Sequence, residues 1–223
     1  MPADAPDPDL ARLYRDTRQR VVALVSGLDD EALDRQVPAC PLWSVRDVLA
    51  HLTAVAEDAV AGRLTGVPTE AETAIQVARL RGRPVPEILA IWTEVAAAFE
   101  RVVGNARVWP ALIDVTSHEH DIRNAVGRPG ARDTEAVWHT AQELLRGLRP
   151  PVPLHVAVED AEFTLGPDGE PRLGLTTTRF EALRWRMGRR SQAQLAALDW
   201  SGDPAPVVDH LAIFGPTERD ILE

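Results

Sequence analysis

Apolar residues recur at helical spacing in four separate stretches of this 223-residue sequence, and that periodicity restricts the fold more than any other feature. Leu10, Leu13, Val21, Leu24, Val25 and Leu28 are separated by Arg, Asp and Gln, which predicts a first amphipathic helix from Leu10 to about Leu28. The second is predicted from Val45 to about Arg63. Ser44 can cap it by accepting a hydrogen bond from a first-turn amide, with Asp47 at the acidic position of a capping box, and Gly62, Gly66 and Pro68 end it. A third runs from about Pro86 through Ile88, Ile91, Trp92, Val95 and Phe99 to Val103. A fourth starts near Pro110, suited to a first helical turn, and stops at Gly127 and Pro129. Four long helices joined by loops predict a bundle. Between the second and third, Thr69 to Arg83 is mixed and reads as either a short helix or a loop.

The pattern changes after Ala131. Asp133 to Leu148 still reads as a helix, but Arg149 to Pro153 contains three prolines and predicts a hinge. Beyond it, His155 to Val158, Glu162 to Leu165 and Arg172 to Thr178 read as strands, and Gly166 to Gly169 predicts a turn joining two of them as a hairpin. Phe180 to Met187, Gln192 to Leu198 and Val207 to Phe214 read as short helices packing on that sheet. The expected fold class is mainly α, with a helical bundle over 1–148 followed by a small α+β domain over 149–223.

Charge and cysteine usage narrow the partners. With 34 acidic against 24 basic side chains the net charge is -10, so a nucleic acid or an anionic membrane would be repelled on average. No apolar run approaches the roughly 20 residues of a membrane span. The opening Met1 to Asp9 has neither the basic nor the apolar segment of a signal peptide, and one cysteine, Cys40, cannot form an internal disulfide. A soluble cytoplasmic protein is expected, with Cys40 read as a small buried apolar residue.

The chemistry concentrates on the fourth helix. Asp114 and His118 are four residues apart and Asp121 is seven from Asp114, so all three fall on one stripe. A carboxylate and an imidazole at that spacing can bind one ion, and bundle cores assemble metal sites from such pairs on facing helices. His51 is the candidate third ligand, because it sits among Val48, Leu49, Leu52 and Val55, where an unpaired imidazole is costly. Three protein ligands leave a position open, which suits a catalytic zinc or a related divalent ion. Asp121 reads as the acceptor for a histidine N–H. Glu119 and His120 read as solvated, although His120 takes the place of His118 if the helix is rotated by two residues. Trp43, Trp92, Trp109 and Trp138 read as core or pocket-wall residues.

The segments WSVRDVLAHL, Trp43 to Leu52, and DVTSHEHDIRNAVG, Asp114 to Gly127, resemble the two ligand-bearing helices of the mycothiol-dependent maleylpyruvate isomerase family, a branch of the DinB-like metal-binding bundles. GRRSQAQLAALDWSGD followed by HLAIFGP resembles that family's C-terminal domain, so the likeness spans nearly the whole chain. The resemblance implies a zinc site at His51, Asp114 and His118, with the thiol mycothiol bound near the metal. One departure is that the isomerase carries a glutamate where this chain has the shorter Asp114.

The expected function is therefore a mycothiol-dependent metalloenzyme in which a metal-held thiolate isomerises a small electrophile or is transferred to it. Arg184 and Arg189 are the candidate catalytic arginines, placed to clamp a substrate carboxylate, against the alternative that Arg184 to Arg190 is a solvated basic face. The alternative function is a non-catalytic metal- or ligand-binding bundle. Metal-assisted hydrolysis would need a general base, for which Glu57 or Asp58 are the carboxylates at hand.

Overall fold

The computed structural model describes residues 7–64, 66–171 and 173–223, so the expected first residue of the third strand, Arg172, and residues 1–6 of the opening segment lie outside the described residues. The described chain divides into two compact units, Pro8–Gly130 and a second made of Ala131–Glu223 together with Asp7.

The first unit is built on four long helices: α1 (Leu10–Val25), α3 (Val45–Val60), α5 (Val85–Asn105) and α6 (Trp109–Ala125). A single-turn helix, α2 (Asp30–Leu33), and a two-stranded hairpin, β1 (Gln36–Val37) and β2 (Cys40–Ser44), link α1 to α3. The mixed segment resolves as a helix, α4 (Glu70–Leu80), because Thr69 and Glu72 form a complete capping box that satisfies amides at its start. Ser44 and Asp47 do the same for α3. Gly127 closes α6 in a left-handed conformation, φ 63°, which glycine adopts without steric cost. Each long helix turns an apolar face inward, Leu10, Leu13 and Val21 from α1, Val48, Leu49 and Leu52 from α3, Ile88, Trp92 and Phe99 from α5, and Leu112, Val115 and Ile122 from α6.

Two aromatic groups tie α1 to α5 at the centre of this core. The Trp92 indole N–H donates to the Tyr14 hydroxyl at 3.1 Å, and Tyr14 meets Phe99 edge to face. Burial pushes the Tyr14 hydroxyl well above the usual tyrosine range, the Trp92 bond opposes the shift, and the Asp114 charge adds to it. The raised value means that the folded state holds its proton after the unfolded state has lost it. Stability is therefore intact below the unfolded pKa of about 10 and falls as pH rises through it. The sequence contains no lysine. Melting temperatures measured from pH 8 to 11 should fall at the alkaline end, and Tyr14→Phe should flatten that fall while lowering stability at neutral pH by about 1–3 kcal/mol through the unpaired Trp92 N–H. An unchanged alkaline limb in Tyr14→Phe would refute the assignment.

In the second unit, helix α7 (Glu135–Arg146) packs against a four-stranded sheet of β3 (Leu154–Val158), β4 (Ala161–Leu165), β5 (Leu173–Thr176) and β6 (Asp199–Trp200), in spatial order β4-β3-β5-β6. Helices α8 (Arg179–Arg186) and α9 (Gln192–Ala196) complete it. The expected domain break at 148/149 contrasts with a division at 130/131. The physical reason is that the apolar face of α7, with Leu148 beyond it, belongs to the sheet's core: Ala141, Leu145 and Leu148 pack with Leu154, Val156, Leu175, Trp185 and Leu195.

Two local expectations are corrected. The hairpin is β3 with β4, turning at Glu159 and Asp160, whereas the chain after Gly166 crosses over so that β5 pairs parallel with β3. Gly166 serves close approach there: a Cβ on it would stand 2.6 Å from the Val152 carbonyl oxygen. The helix expected over Val207 to Phe214 shrinks to a 3-10 turn at Val208–His210. The Ile213 amide donates to the Arg186 carbonyl and the Arg186 guanidinium donates to the Leu211 carbonyl, so the backbone bonds outward to α8 in place of continuing a helix. No helix among the described residues is long and apolar enough to cross a membrane.

Candidate metal centre

Helix α6 is buried on all sides through its middle: every residue from Val115 to Ile122 is inside, six of the eight polar or charged. A polar group removed from water must find a partner, so this stretch is a set of built interactions. The expectation that Glu119 and His120 are solvated is overturned. Glu119 is fully buried and accepts from Arg20 on α1, Nε at 3.0 Å and Nη2 at 2.8 Å, and from Arg123 Nη2 at 2.9 Å. His120 is 3% exposed. Polarity in α6 marks interior chemistry because α1, α3, α5 and the hairpin together surround the helix.

The structure brings His51, Asp114 and His118 together. Asp114 Oδ1 lies 3.5 Å from His51 Nε2 and 3.5 Å from His118 Nε2, and one donor atom from each residue falls within 4.8 Å of the others. A tetrahedral zinc with donors at about 2.1 Å sets them roughly 3.4 Å apart, so Asp114 stands from each histidine at the spacing of two donors on one cation. The two imidazoles are buried, while Asp114 is about a third exposed, which leaves the carboxylate side as the approach. On the far side of His118, Asp121 is fully buried with Oδ2 3.0 Å from Nδ1, a close contact between carboxylate and ring nitrogen.

Trp43 roofs both imidazoles. Its ring centroid is 5.1 Å from that of His51 and 6.0 Å from that of His118, both tilted. Ser44 fixes this geometry, since it both ends β2 and caps α3, so the tryptophan one residue earlier is held over the helix that carries His51. The same hairpin delivers Cys40, which is half-buried and within 4.8 Å of donor atoms on His118 and Asp121, a placement no periodicity signals.

Other candidates are committed elsewhere. Asp58 is buried against Arg63, Arg79 and Gln76, and Glu57 pairs with Arg79, so both carboxylates are spoken for by cations. Arg184 and Arg189 lie inside the second unit. Arg184 is fully buried in an ion pair with Glu223, Nε to Oε2 at 3.0 Å, and Arg189 Nη1 donates to the Met187 carbonyl at 2.5 Å. Arg190 joins the same network, bonding both Glu181 and Glu223. A solvated basic face does not describe these buried residues, whose guanidinium groups bond Glu223 and the Met187 carbonyl within the second unit.

Fold and donor set together describe a helical bundle with a group of side chains that could hold a metal ion, followed by a small α+β unit. The family model described as the mycothiol maleylpyruvate isomerase N-terminal domain matches residues 14–144, and the chain belongs to that family. Two solved structures share the fold. One is a histidine-to-alanine mutant of the mycothiol-dependent maleylpyruvate isomerase, 14% identical, covering 83% of this chain and 90% of that one with a TM-score of 0.59. The other is the mycothiol-dependent maleylpyruvate isomerase, 16% identical over the same shares, with a TM-score of 0.51. The search of curated proteins gave no match.

Proposed function

We propose that this chain is a mycothiol-dependent metalloenzyme that isomerises a small electrophile of the maleylpyruvate type or joins the thiol to it. The observation that carries this reading is the convergence of His51, Asp114 and His118 at the donor spacing of a tetrahedral zinc site, in a chain of the isomerase family. His51, Asp114 and His118 would hold the cation and leave a coordination position open. A bound zinc supplies Lewis acidity that keeps a thiol as its nucleophilic thiolate at neutral pH.

The surrounding residues set the conditions for that chemistry. Asp121 holds His118 in the tautomer that offers Nε2, and Trp43 shields the imidazoles from water on one side, which strengthens charge interactions beneath it. The part-exposed edge of Asp114 admits the thiol and the electrophile. The single cysteine supports work in a reducing cytoplasm.

The test is turnover of maleylpyruvate with mycothiol present. Activity should require the thiol, vanish on treatment with a chelator and return with zinc. Turnover that persists in the chelated, metal-free protein would contradict the proposed chemistry, as would a zinc-loaded protein inert toward maleylpyruvate and toward simple thiol-reactive electrophiles.

A further inference from the structure

The imidazole of His118 stands between two donor sets. Its Nε2 faces Asp114, while its Nδ1 lies 3.0 Å from Asp121 Oδ2, and the Cys40 sulfur completes a second group whose donor atoms lie within 4.8 Å of one another. The two sets differ in chemistry. The first offers imidazole nitrogen and carboxylate oxygen. The second adds sulfur, which selects soft, thiophilic cations. They also differ in access, since Asp121 is fully buried and Cys40 on β2 is half-buried, so an ion would enter from the hairpin side.

We propose that Cys40, His118 and Asp121 form a second cation site, for a soft divalent ion such as cadmium or excess zinc. It shares His118 with the first set, and only that sharing rests on the function proposed above. Occupation involves three coupled changes. The Cys40 thiol releases its proton to solvent as the metal–sulfur bond forms, the Asp121 carboxylate turns from the ring nitrogen to the ion, and the imidazole proton moves from Nδ1 to Nε2. A neutral imidazole has one lone pair to give, so His118 serves one ion at a time. A soft cation on Nδ1 therefore withdraws His118 from His51 and Asp114, and the second site acts as an inhibitory position for thiophilic metals.

Cadmium chloride titration of the full chain tests this, read by the ultraviolet sulfur-to-cadmium charge-transfer band, which reports on Cys40 because it is the sole cysteine. His51→Ala dismantles the first set, so the second is observed independently of the proposed function. The expected result is about one cadmium per chain with a thiolate band in His51→Ala, and cadmium binding, measured by equilibrium dialysis, at least roughly tenfold weaker once Cys40→Ser or Asp121→Asn is added. Cys40→Ser alone, with His51 in place, should keep its zinc and lose the ability of cadmium to displace it. Absence of the band in His51→Ala at saturating cadmium would overturn the proposal. So would cadmium affinity unchanged by both second substitutions, or loss of zinc from Cys40→Ser, which would make the cysteine part of the first set.

Discussion

Arg20→Met should lower the melting temperature by about 9 °C, a loss of roughly 3 kcal/mol. The carboxylate it abandons, Glu119, has no exposure to water and takes both a 2.8 Å and a 3.0 Å bond from that one guanidinium. Removing one partner of a buried pair leaves a charge whose desolvation nothing offsets, and such losses run at about 3–5 kcal/mol. The lower end applies because Arg20 is itself about a quarter exposed and Arg123 still reaches Glu119. Arg20→Met combined with Glu119→Leu should recover most of the loss, since a well-packed apolar pair of similar volume is often as stable as the ions it replaces. A thermal melt of the two variants decides the matter. A single substitution within about 2 °C of the parent chain would mean that Glu119 keeps its stabilisation from Arg123 alone.

The second large effect is on metal affinity. His118→Ala removes one of the three proposed donors, so zinc binding should weaken by more than about 100-fold. Asp121→Asn leaves every donor in place and changes only what stands 3.0 Å from Nδ1, so it should cost about 10–100-fold. The order of the two effects matters as much as their size, because it separates a metal ligand from the group that orients it. Competition with a chromophoric zinc chelator measures both. Equal zinc affinity in His118→Ala and the parent chain would exclude His118 from the site.

Much of the bundle was legible because its helices obey rules that act within a few residues. The Ser44 and Asp47 capping box, the Pro110 start of α6 and the Gly127 stop depend only on local backbone chemistry, and each appears in the structure where the residues predict it. His51, Asp114 and His118 could be grouped because helical spacing fixes which side chains share a stripe and a buried histidine demands a partner. What failed was nonlocal. Glu119 and His120 look like a solvated face only if α6 has one, and whether it does depends on α1 and the hairpin closing around it. Gly166 looks like a hairpin turn until the carbonyl of Val152 stands against it. The arginines from Arg184 to Arg190 look like a surface run, yet Glu223, the partner of Arg184 and Arg190, comes from more than thirty residues further along. Cys40 gave no signal, because its place beside His118 is set by how a short hairpin folds onto two helices, and no pattern of apolar residues encodes that.

Elemental analysis of the purified, untagged protein decides whether His51, Asp114 and His118 hold one divalent cation. About one zinc per chain is expected after zinc reconstitution and dialysis, lost in both His51→Ala and His118→Ala while far-ultraviolet circular dichroism stays helical. A parent chain that remains metal-free after reconstitution, or variants that bind as much zinc as the parent, would contradict it.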